Sequence, residues 1–108
     1  LAMAPMTRSR AEGGVPTKTM AEYYRRRAAG GIGLIITEGS LVNHPLARAD
    51  YGEVPYLRAD SIEGWRRVVE AVHAEGSRIF PQIWHCGPVV RPGVAGRSTP
   101  CPDPASMS

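Results

Sequence analysis

Two periods of apolar spacing, one strand-like and one helical, alternate along this chain and divide it into five elements. Residues 1–6 are a short apolar run ending at polar Thr7, which suits a buried strand. Residues 11–16 (AEGGVP) are turn material. A helix follows, with Thr19 and Glu22 at capping-box spacing, Tyr23, Tyr24 and Ala28 as a face to bury, and Gly30-Gly31 as its stop. Residues 32–37 are a continuous β-branched and leucine run, predicting a strand buried on both faces as parallel sheets require. Residues 38–59 lose the pattern, and so long a loop is usually functional or disordered. A second helix begins near Asp60, again with an acid three residues on at Glu63. It places Ile62, Trp65, Val69 and Val72 on one face and stops at Gly76. Residues 78–84 make the third strand. Residues 86–108 carry Pro88, Pro92, Pro100, Pro102 and Pro104 without an apolar period and read as a long loop.

Strand, helix, strand, helix, strand is the α/β repeat of a parallel sheet with right-handed crossovers. A doubly wound sheet and a (β/α)8 TIM barrel both produce it. A dinucleotide-binding sheet places GxGxxG directly after its first strand, whereas Thr7-Arg8-Ser9-Arg10 stands there and the glycines of GGIG precede a strand. The barrel remains. Such barrels need about 250 residues, and three strands cannot close one. Residues 1–108 are therefore expected to be the incomplete N-terminal part of one barrel domain, with strands and helices over 1–85 and a Pro-rich loop over 86–108. Left alone, the third strand would present an unpaired edge.

Composition excludes several functions. The 108 residues are 43% hydrophobic with no low-complexity tract. No apolar run approaches the roughly 20 residues that span a bilayer, and residues 1–6 lack the basic leader of a signal peptide. A soluble, cytoplasmic protein without a membrane partner is expected. The formal charge is +3, and the one basic cluster, Arg25-Arg26-Arg27, lies where cations offset a helix dipole. No aromatic residues interleave with a basic stripe, so no nucleic-acid partner is expected. His44, His73 and His85 show no ligand spacing, so no metal site is expected. Cys86 and Cys101 form no CxxC motif and read as free thiols in a reducing compartment.

Candidate chemistry sits at the strand ends, where barrel enzymes of this kind build their sites. Thr7 follows the first predicted strand, Glu38 and Gly39 the second, and Gln82 and Trp84 close the third. A carboxamide such as Gln82 donates and accepts at once, matching a heteroaromatic edge that alternates donors and acceptors. A hydroxyl such as Thr7 stabilises charge that builds on a carbonyl. Pro5 and Met6 offer backbone and apolar contact, and Gly39 lets backbone approach a flat ring. Taken singly, each has a plainer reading. A threonine after a strand is usually a turn residue, a glutamine often satisfies buried backbone, and a tryptophan usually packs in a core or at its rim.

Read together, LAMAPMTRSR, YYRRRA, GLIITEG, RIFPQIWH and the helix pattern W-x6-VH-x2-G (Trp65, Val72, His73, Gly76) resemble the opening third of the old yellow enzyme family. Thr7 points to the branch with threonine rather than cysteine at that position. The resemblance implies a TIM barrel binding FMN, reduced by NAD(P)H and passing hydride to a small electrophilic alkene such as an enone, maleimide or nitroalkene. It implies that Pro5, Met6, Thr7, Gly39 and Gln82 contact the flavin, with Thr7 tuning it. Trp84 would shape the substrate side, and Tyr51 matches a loop tyrosine lining the substrate. For Trp65 and His73, plain helix packing is expected.

Two residues depart from the pattern. Pro81 falls inside a predicted central strand, where it removes a ladder donor, and Pro88 replaces the arginine usual in the family's H-x-G-R. The family's substrate-binding His/Asn pair, its tyrosine proton donor and its basic phosphate grip match nothing in this chain, so residues 1–108 alone are expected to be inactive. Two alternatives stay open: a relative among the iron–sulfur dienoyl-CoA reductases or amine dehydrogenases, and a non-catalytic fragment that assembles with itself, as a homo-oligomer, or with another piece.

Overall fold

The computed structural model of the chain describes residues 1–47 and 52–86. The elements run β1 (Ala2–Met3), α1 (Lys18–Ala29), β2 (Leu34–Val42), β3 (Tyr56–Leu57), α2 (Ile62–Ala74) and β4 (Arg78–Trp84). Every strand pairing is parallel. Leu34 pairs with both Ala2 and Arg78, and Leu41 with both Tyr56 and Trp84. β1 and β3 therefore share one edge of β2, and β4 runs along the other.

Three boundaries differ from the sequence expectation. β1 covers two residues rather than six, because Pro5 brings no N–H to the ladder. β2 continues through the polar stretch to Val42, so Glu38 and Gly39 lie inside the strand rather than after it. Part of the expected 38–59 loop is strand too: the Leu41 N–H donates to the Pro55 carbonyl at 2.8 Å, and β3 begins at the next residue. The lost apolar period concealed these pairings, since Thr37, Glu38 and Ser40 are polar yet buried.

The caps shift as well. Thr17, not Thr19, caps α1: its backbone is extended and its hydroxyl accepts from the Met20 N–H at 3.2 Å. Glu22 turns instead to Arg25 and Arg26 on its own helix. Before α2, a 3-10 turn over Ala59–Ser61 takes the place expected for the first helical turn. Ser61 is buried there, accepting from the Arg58 N–H and donating to the Tyr56 carbonyl at 2.7 Å.

Both helices cover one face of the sheet. Met20, Tyr24 and Ala28 of α1 meet Val68 and Val72 of α2 over Ile35, which is fully buried. Val72 belongs to the predicted face, but the buried row of α2 is Gly64, Val68 and Val72. Ile62 is exposed, and Trp65 and Val69 line a shallow apolar cleft of about 200 Å3 against Ile79, Phe80 and Pro81. The helix is rotated so that its smallest residue, Gly64, faces the segment at Pro16. Trp65 does pack, with its indole N–H donating to the Tyr56 carbonyl, whereas His73 is exposed rather than packed. A second apolar cluster of Leu41, Ala47, Val54 and Cys86 closes the C-terminal end of the strands.

Candidate active site at the strand ends

The distal half of β2 is built around a bulge. Ile36 pairs with Phe80, but the next pair is Gly39 with Gln82, so β2 uses three residues where β4 uses two. Pro81 sits opposite the bulge, where the ladder is already interrupted and its missing donor costs nothing. The proline that looked out of place in a central strand is accommodated in this way. Thr37 closes the gap by side chain: its hydroxyl accepts from the Gln82 N–H at 3.3 Å and donates to the Glu38 carbonyl at 2.8 Å. Ser40 donates to the same carbonyl at 3.2 Å.

The bulge turns Glu38 toward α1. Its side chain is 1% exposed, and its carboxyl accepts from the Tyr24 hydroxyl at 3.2 Å and from the Arg8 backbone N–H at 3.3 Å. Tyr24 accepts the Glu38 backbone N–H in return at 2.9 Å. Burial pushes the Glu38 carboxyl above the usual carboxylate range, opposed by the Arg8 N–H, the Tyr24 hydroxyl and the Arg8 charge. Burial likewise pushes the Tyr24 phenol up, keeping it a hydroxyl.

Gly39 makes room for a side chain that the sequence did not point to. A Cβ there would stand 2.2 Å from Cε3 of Trp84, so the missing side chain is filled by the indole. The half-buried Trp84 is thus seated on Gly39 at the end of β4, two residues after Gln82. Gly39 and Gln82 are direct partners across the β2–β4 ladder. Thr7 comes to the same region through its neighbour Arg8, whose N–H is bound by Glu38. Pro5, Met6, Thr7 and Gln82 are all exposed. Neither the Thr7 hydroxyl nor the Gln82 carboxamide bonds to another described residue.

Tyr51, Pro88 and Cys101, together with the Pro-rich stretch from residue 87, lie outside the described residues. Cys86 is buried and forms no disulfide among the described residues. Among the described residues, no three His, Cys, Asp or Glu side chains gather as metal ligands, and no helix is long and apolar enough to cross a membrane. The sequence spacing did not foresee that the His44 and His85 rings approach to 5.8 Å at the ends of β2 and β4. It placed Glu38 at a strand end and Tyr24 on the buried face of the first helix, but not their bond to each other. The available signal was an acid inside an otherwise aliphatic strand.

A parallel β-α-β-α-β unit with its polar groups at the C-terminal strand ends is the repeat from which TIM barrels are built. The chain belongs to the NADH:flavin oxidoreductase / NADH oxidase family, whose model matches residues 1–106, and within it to the old yellow enzymes. It is 45% identical over 86 residues to 12-oxophytodienoate reductase 7 of Oryza sativa subsp. japonica, covering 79% of this chain and 21% of the rice protein. The fold overlays morphinone reductase with a TM-score of 0.80 at 43% identity, over 93% of this chain and 26% of that one. The old yellow enzyme homologue from Zymomonas mobilis gives 0.78 at 40% identity, over 93% of this chain and 27% of that one. The chain thus spans about a quarter of the solved relatives' length, and its sheet is one open segment of their barrel.

Proposed function

We propose that this chain supplies the ring-binding edge of an FMN-dependent enzyme that reduces activated C=C bonds with NAD(P)H in the cytoplasm. One observation carries the reading: Gly39 and Gln82 are paired across neighbouring strands, and Thr7 is tied beside them through Arg8, with the Thr7 and Gln82 side chains bonded to no other described residue. Family membership and the reductase names of the relatives support it. The residues fit the group. Gln82 can donate to and accept from the polar edge of a flavin, while Thr7 can donate where charge develops on the reduced ring. Pro5 and Met6 supply contact, and Trp84, seated on Gly39, walls the substrate side; the family resemblance alone gives Tyr51 a substrate-lining role. The bound flavin supplies hydride transfer from the nicotinamide to the alkene.

The binding test is the visible spectrum of the intact protein, expected to show a flavin that denaturation releases. Thr7→Ala should leave the flavin bound but slow its reduction by nicotinamide about tenfold, the worth of one lost hydrogen bond to a charged centre. An unchanged rate and flavin potential would remove Thr7 from this role. Residues 1–108 alone should neither hold FMN tightly nor turn over an enone, because a few hydrogen bonds of about 1 kcal/mol each do not offset immobilising the cofactor.

A further inference from the structure

The Glu38 carboxyl takes no part in the reaction proposed above, yet it binds the residue directly after Thr7. Pro5, Met6 and Thr7 make no hydrogen bond to any other described residue. The first tie downstream of them is the Arg8 N–H on Glu38 Oε2. That carboxyl is itself immobilised, because the bulge aims it at α1 and Tyr24 grips both its Oε1 and its own backbone N–H. The Arg8 guanidinium rests 3.6 Å from the centre of the Tyr23 ring, so α1 holds this residue from a second side.

We propose that Glu38 is the positioning residue for Thr7: locked by Tyr24, it fixes the Thr7–Arg8 peptide against the β2 bulge and thereby sets where the Thr7 hydroxyl stands over the strand ends. The arrangement also links both sides of the candidate site, because Glu38 is followed by Gly39, the seat of Trp84. A shift of the bulge would move the Thr7 loop and the indole together. This inference rests on the flavin reading for its catalytic consequence, but the anchor itself is independent of any ligand.

Raised desolvation makes an acid an expensive choice at this position. A buried acid with this pair of donors is used here to hold a segment that makes no hydrogen bond to any other described residue. Glutamine keeps one oxygen to accept from Arg8, whereas leucine fills similar space and accepts nothing. Three variants of the intact protein, Glu38→Leu, Glu38→Gln and Tyr24→Phe, therefore separate anchoring from packing.

The first measurement is hydrogen exchange at the Arg8 amide, with and without FMN. Glu38→Leu should speed exchange about tenfold or more, the loss of roughly one hydrogen bond, and Glu38→Gln should restore most of the protection. If Glu38→Leu does not fold, Tyr24→Phe, which removes only a hydroxyl, should give intermediate exchange. Arg8 protection unchanged in the folded variants overturns the anchor. The second measurement is nicotinamide reduction of the flavin in a double-mutant cycle with Thr7→Ala. Glu38→Leu should slow reduction alone and add nothing on top of Thr7→Ala, because it acts through that hydroxyl. Independent, multiplicative losses would show that Glu38 does not work through Thr7 and overturn the proposal. A protein that takes up no flavin would refute the reading of function, while the exchange measurement would still decide the anchor.

Discussion

The two halves of β2 have the same partner strand but follow different rules. Residues 34–36 are aliphatic, pair in unbroken register with residues 78–80 and bury Ile35 completely under both helices. Residues 37–41 are bulged, mostly polar and buried as deeply, yet every buried side-chain polar atom there has a partner. The first half is held by hydrophobic contact and tolerates any side chain of suitable volume. The second is held by directional bonds, and each group has a specific correspondent: Thr37 with Gln82, Glu38 with Tyr24 and Arg8, Gly39 with Trp84. A strand can therefore serve as scaffold at one end and as a site at the other, with a single extra residue marking the change.

The largest expected effect lies in the scaffold half. Ile35→Ala should destabilise the intact protein by about 2–5 kcal/mol, as for other fully buried aliphatic truncations, seen as a lower urea midpoint. In the site half, Gly39→Ala inserts a methyl at the Trp84 indole and should cost about 1–3 kcal/mol by overpacking. It should also shift the Trp84 emission, read in a Trp65→Phe background because the chain has two tryptophans. Were Gly39→Ala to leave the indole undisturbed, or to cost more than Ile35→Ala, the division between the halves would fail.

This division also explains what could be read without coordinates. Both helices, the parallel order and the scaffold half of β2 were visible because apolar periodicity reports burial against a helix layer. Strand-end logic and family resemblance nominate Thr7, Gly39, Gln82 and Trp84 as candidates, and the fold brings them to one end of the sheet. The packing of the Trp84 indole into the space a Cβ at Gly39 would fill was not legible. The bulge was not legible, since polarity in T-E-G-S resembles a strand ending, and only the paired register shows that the ladder resumes. The rotation of α2 was hidden for a related reason. Helical spacing selects the largest apolar residues, but close packing near Pro16 selected Gly64 and turned Ile62 outward.

A smaller effect should follow Thr37→Val, which keeps the shape and removes the hydroxyl. The Gln82 N–H loses its acceptor, and the Glu38 carbonyl keeps Ser40. Because Gln82 is exposed and water can replace the lost bond, about 1 kcal/mol is expected. Thr37→Ser should retain the bond and recover most of it. Equal losses in Thr37→Val and Thr37→Ser would mean that packing of the methyl, not the hydroxyl, matters here.

The smallest effect contrasts two carboxyls that face opposite ways from α1. The hydrogen bond from Arg25, at 2.7 Å, and the nearby charge of Arg26 hold Glu22 down at about 2, and it is solvent-exposed. Glu38 is shifted the other way by burial. Linkage gives the two opposite signs. For Glu22, the stabilisation is present above the unfolded value of 4.5 and is lost as pH falls toward about 2, because the unfolded chain takes up the proton first. For Glu38, the folded chain binds its proton more readily. Its favourable contribution is therefore present below the unfolded value and is lost as pH rises through the raised folded one. Glu22→Gln should flatten the acid side of the stability profile slightly and, like other exposed ion-pair effects, fade in high salt. Glu38→Gln should remove a slope of the opposite sign that salt hardly touches. Urea midpoints of both variants across the acid range, at low and high salt, make the comparison. Slopes changing in the same direction would contradict the assignment of one carboxyl to water and the other to the site.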